Sequence, residues 1–99
     1  MKNLLIPAAL LLAAPAAAQT DQRMSAMNLG EIVGKAEACG LTINEDALVA
    51  YMQERGLTTI DLTALIEHGR AYETRREQTP AACAAVKAAA TEAGLVNSL

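Results

Sequence analysis

Cys39 and Cys83 are the two cysteines of a 99-residue chain. In an oxidising compartment a lone pair of this kind has a single intramolecular pairing, so a disulfide Cys39 to Cys83 is expected. A redox-active pair more often stands close in sequence, as in C-x-x-C, with a thiol of lowered pKa, and a structural bridge is the simpler reading. His68 is the single histidine. With both cysteines bridged, it cannot complete the three or four ligands of a zinc site, and no metal is expected. Asn44-Glu45-Asp46 gathers carboxylates, but without the alternating oxygen ligands of a calcium loop. Glu45, Asp46 and Glu54 read as helix caps and surface charge rather than general acids or bases. Ser25 and Ser98 fall in end segments, away from a base, and the glycines stand singly at expected helix ends, where they build no phosphate cradle. These residue types point to a protein that is not an enzyme and carries no cofactor.

Charge and hydropathy point to an exported chain. The formal charge is −3, which disfavours a nucleic-acid binder, since such proteins need a basic face to displace counterions. Met1-Lys2-Asn3 is a short basic start, Leu4 to Leu12 is mostly apolar, and Pro15 precedes Ala16-Ala17-Ala18, a small-x-small cleavage site. Residues 1–18 are read as a signal peptide cut between Ala18 and Gln19. The apolar stretch is broken by Pro7 and Pro15 and falls short of the roughly 20 residues that span hydrocarbon. No Cys follows the cut, so a lipid anchor is not expected either. A periplasmic or secreted location follows, with no stable membrane anchor after cleavage.

Helix signals organise the remainder into an expected flexible leader, 19–27, and one helical domain, 28–99. Asn28 with Glu31 has the form of a capping box, and Met27, Ile32, Val33, Ala36 and Cys39 recur at helical spacing before Gly40-Leu41. Asn44 caps a second helix whose buried stripe is Ala47, Leu48, Tyr51 and Met52, with Arg55 at its edge. A third begins near Thr58 or Thr59, with Asp61 as capping-box partner of Thr58. Its apolar face is Leu62, Leu65, Ile66, Gly69 and Tyr72, its charged end from Glu73 to Glu77 projects into water, and His68 sits on its flank. Thr79-Pro80 opens a fourth that runs to Ala93. No segment alternates as a strand does, so the expected fold is all-α, a small four-helix orthogonal bundle stapled by one disulfide. The bridge closes a loop around the second and third helices and contributes roughly 4 kcal/mol in the loop-entropy model. That matters in a chain without Phe or Trp.

The fourth helix is mostly alanine, which forms helix readily but adds little bulk to a core. Cys83, Val86, Ala90 and Ala93 can face inward, leaving Ala81, Ala84, Ala85, Ala88 and Ala89 as a smooth, weakly charged face. That face is the candidate interaction surface, for an unknown protein partner or for self-association.

The segment Ala81-Ala82-Cys83-Ala84-Ala85-Val86-Lys87, with Gly94-Leu95 and Cys39-Gly40-Leu41, resembles a set of small exported bacterial helical two-cysteine proteins of unknown function. More weakly, the chain resembles the periplasmic acid-stress chaperones, in its signal peptide, all-helical body and single disulfide from an early to a late helix. It lacks the Trp and Phe typical of those chaperones. The leading expectation is a non-enzymatic periplasmic protein acting through protein contact. The alternatives are a chaperone exposing apolar surface in acid and a small-ligand carrier, the latter disfavoured by an alanine-rich helix that packs closely rather than lining a cavity.

Overall fold

Short polar residues ahead of helix-forming runs set three of the four helix starts. Asn44 Oδ1 accepts from the Ala47 amide at 3.1 Å, Thr59 Oγ1 from Leu62 at 3.3 Å, and Thr79 Oγ1 from Ala82 at 3.1 Å. Each satisfies an amide that has no partner within its helix. A computed structural model describes the backbone of residues 2–97 and the side chains of residues 20–97. It contains α1 (Lys2–Ala38), α2 (Glu45–Glu54), α3 (Ile60–Thr74) and α4 (Pro80–Glu92). The fold is all-α, with no strand among the described residues. Gly40, Gly56 and Gly94 follow α1, α2 and α4 at φ of 83°, 68° and 77°, left-handed positions that other residues adopt only with strain.

The first helix departs from expectation. Asn28 is not an N-cap, and residues 20–27, read as an irregular leader, are helical turns of α1. Tertiary contact supplies what local propensity does not. Ala26 is fully buried, and Gln22 Nε2 donates to the Gly56 carbonyl at 3.3 Å. A mid-helix Asn or Ser costs only a few tenths of a kcal/mol, so one buried turn outweighs it. The junction Ala18 to Gln19 lies outside the residues whose side chains are described. Among the described residues, no helix is long and apolar enough to cross a membrane.

α1 and α3 run side by side in the same direction, with α2 in the crossover between them. Gln22 lies at Gly56, Gly30 at Ile66, Gly34 at Arg70, and Glu37 at Thr74. Glycine makes this approach possible. A Cβ on Gly30 would sit 2.5 Å from the Ile66 carbonyl oxygen, and one on Gly34 would sit 2.5 Å from that of Arg70 and 2.7 Å from Glu73 Cβ. Gly69 faces Gly30 across the same seam. Gly30 and Gly34 are therefore not at a helix end, where single glycines are expected, and Gly69 keeps its place on the inner face of α3. They are a backbone-to-backbone contact in mid-helix.

α4 packs on α1 and makes no close approach to α3. Cys83 is bonded to Cys39 with an S–S distance of 2.06 Å and Cα atoms 5.6 Å apart. At the far end, the Asn44 amide donates to the Leu95 carbonyl at 2.8 Å. Val33, Leu57, Ile66 and Leu95 are the largest fully buried side chains, drawn from α1, α3 and the segments after α2 and α4. Leu48 brings α2 onto the same core.

Candidate functional site

Because α4 packs on one helix only, much of its circumference stays in water. Val86 and Ala90 are buried, Cys83 and Ala93 half-buried, while Ala81, Ala84, Ala85 and Ala88 are exposed. Ala89 is half-buried, turned toward a shallow groove that α4 makes with Ile32 and Lys35 of α1. Lys87 and Glu92 are the only charges on the helix. The surface is therefore smooth, apolar and short-chained, a shape that another helix can approach closely.

A second apolar groove runs between α1 and α3, where Met27 and Leu65 meet His68 and Tyr72. Here the sequence expectation is corrected. The helical spacing of Met27 and the apolar face that includes Tyr72 point to burial, yet the two residues are 55% and 59% exposed. The glycine seam brings the two backbones too close for large side chains to lie between them, which pushes both residues to the flank. His68 is exposed at the rim, the flank position expected for it.

Three charged groups are tied together across helices. Arg70 donates from Nε and Nη2 to the two oxygens of Glu37, each at 2.8 Å, and also pairs with Glu45 of α2. The Thr74 hydroxyl lies 3.3 Å from the Glu37 carboxylate and 2.7 Å from the Arg70 carbonyl. Hydrogen bonding from Arg70 holds the Glu37 carboxyl below its usual range, and the Arg70 charge and Thr74 add to this against partial burial. Glu37 and Glu45 in turn push the Arg70 guanidinium up; since arginine is always charged, the outcome is a fixed tie between three helices rather than a proton donor. Glu45 thus has a role beyond the helix dipole.

Glu73 is a further correction, since it was expected in water at the end of the third helix. It is 5% exposed, and its carboxylate accepts from Arg76 Nη1 at 3.0 Å and Gln78 Nε2 at 3.5 Å. The return of the chain over its own helix end covers it. Among the described residues, no buried side-chain nitrogen or oxygen lacks a partner, and no group of three His, Cys, Asp or Glu is arranged to hold a metal ion. No family model, curated protein or solved structure matches this chain.

Proposed function

We propose that this is an exported, non-enzymatic helical protein, periplasmic or secreted, that acts by protein contact through the outer face of α4. The observation that carries the reading is the exposure of Ala81, Ala84, Ala85 and Ala88 on a helix with one neighbour. Large side chains cost entropy when an interface orders them, whereas alanine has none to lose. Export is supported by the signal-like start and by a disulfide compatible with an oxidising compartment.

The test is capture from periplasmic extract, together with self-association, of the oxidised protein beginning at Gln19, beside its Ala88→Glu variant. A glutamate on an exposed helical position should leave stability within about 0.5 kcal/mol while capture or self-association is lost. Equal capture by both proteins would rule out the α4 face, and a collapse in stability would show Ala88 to be core.

A second reading, an acid-stress chaperone, draws on the Glu37–Arg70–Glu45 tie. Protonating Glu37 removes a link between α1 and α3, the two helices that flank the groove exposing Met27 and Tyr72. Dye binding and suppression of client aggregation that rise together below about pH 4 would support it. A protein that stays folded and inert there would exclude it.

A further inference from the structure

We infer that Met24 and Met27 form an oxidant-modification site, at which conversion to sulfoxide makes the apolar groove between α1 and α3 polar while the fold stays intact. Among the described residues the methionines stand in two settings. Met24 and Met27, at neighbouring positions on one face of α1, are 58% and 55% exposed. Met52 of α2 is half-buried and packs against the core. An oxidant must reach the sulfur to react with it, so the exposed pair reacts first. The site does not depend on where the chain is cut or delivered.

The co-reactant is a hydroperoxide, of which hydrogen peroxide is the simplest. A sulfur lone pair attacks one peroxide oxygen, an S–O bond forms, the O–O bond breaks, and the proton on the transferred oxygen passes to the departing one, which leaves as water. Sulfur is oxidised by two electrons and the peroxide is reduced by two. Position gives the product its consequence. Met27 lines the groove with Leu65, His68 and Tyr72, and a sulfoxide there replaces a flexible apolar side chain with a polar one. Neither Met24 nor Met27 belongs to the core; Ala26 and Leu29, on the opposite face of the same turns, carry the burial. The change is thus confined to the surface. It is also reversible, because methionine sulfoxide reductases, one for each epimer, can reach an exposed sulfoxide.

Trypsin separates the two settings. Cuts after Arg23 and Lys35 release residues 24–35 with Met24 and Met27, and cuts after Lys35 and Arg55 release residues 36–55 with Met52. The folded, disulfide-bonded protein is treated with limiting hydrogen peroxide, then reduced at the disulfide, digested and weighed. The expected result is two added oxygens on 24–35 and none on 36–55, with the thermal midpoint of the intact treated protein unchanged. NMR signals of the Leu65 methyls and the Tyr72 ring should shift while those of Leu57 and Leu95 hold. Treatment with both reductases should restore the original mass of 24–35. In the doubly substituted Met24→Leu, Met27→Leu protein, 24–35 should take up no oxygen and the Leu65 and Tyr72 signals should not move under peroxide. Oxidation of Met52 as fast as of the exposed pair would overturn the inference. So would a midpoint that falls when the pair alone is oxidised, or Leu65 and Tyr72 signals that ignore the sulfoxides.

Discussion

Arg70 grips Glu37 in a two-pronged ion pair, with Nε and Nη2 each 2.8 Å from a carboxylate oxygen, and the pair joins α3 to α1 from positions 33 residues apart. It lies at the end of the glycine seam, where α1 is about to leave the core. Arg70 is 17% exposed in its side chain and Glu37 28%, so the pair is partly shielded from the solvent that weakens surface ion pairs.

Removing one partner should therefore be felt. Arg70→Ala leaves Glu37 and Glu45 without their shared donor and is expected to lower stability by about 1–2 kcal/mol, a value discounted for partial exposure. Arg70→Lys should recover only part of this, because an ammonium cannot match the fork. Urea unfolding curves at fixed pH measure both.

The pH dependence has a definite sign. The folded pKa of Glu37 is below its unfolded value, so the stability it supplies is complete above the unfolded value of about 4.3 and is lost as pH falls through the folded one. Stability from this group should be flat from pH 7 to about 5.5 and decline only below the unfolded value. Glu37→Gln should flatten that part of the acid limb, and identical acid limbs for parent and variant would contradict the assignment.

At the seam, Gly34→Ala sets two effects against each other. Helix propensity alone favours alanine by about 1 kcal/mol, but the new methyl would sit 2.5 Å from a backbone oxygen of α3. The helices must separate, and overpacking of this kind costs about 1–3 kcal/mol or more. A net loss of stability by thermal unfolding is expected. Gly40→Ala, where a Cβ meets nothing within 4 Å but φ is +83°, should cost only the left-handed conformation, about 1–2 kcal/mol.

The disulfide is the remaining large contribution. Cys39 and Cys83 are 44 residues apart, and replacing both with Ser should lower stability by about 2–5 kcal/mol. Because α4 makes no close backbone approach to α3, the loosened part should be α4 and the segment that leads to it. Hydrogen exchange should show amides of α4 losing protection before those of the α1–α3 pair. Uniform loss across the fold would argue against that order.

What the sequence determined by itself is whatever is settled within a turn or two of chain. Asn44 and Thr79-Pro80 announce their helices because a capping side chain bonds an amide three residues on, the third start is legible only to Thr58 or Thr59, of which Thr59 is the cap, and Gly40, Gly56 and Gly94 close helices because a left-handed residue is needed at that point. The pairing of Cys39 with Cys83 followed from there being two cysteines, and the outward alanines of α4 from helical periodicity. Tertiary structure alone decided the rest. Gly30, Gly34 and Gly69 have no local meaning in mid-helix until α3 lies against α1, and that same closeness turns Met27 and Tyr72 outward. Glu37 and Arg70 are ordinary helix charges until the parallel register brings them together, and α1 continues through residues 20–27 because Ala26 and Gln22 find partners on the body of the fold. Each of these depends on groups more than thirty residues apart along the chain, and neither propensity nor periodicity carries information over that distance.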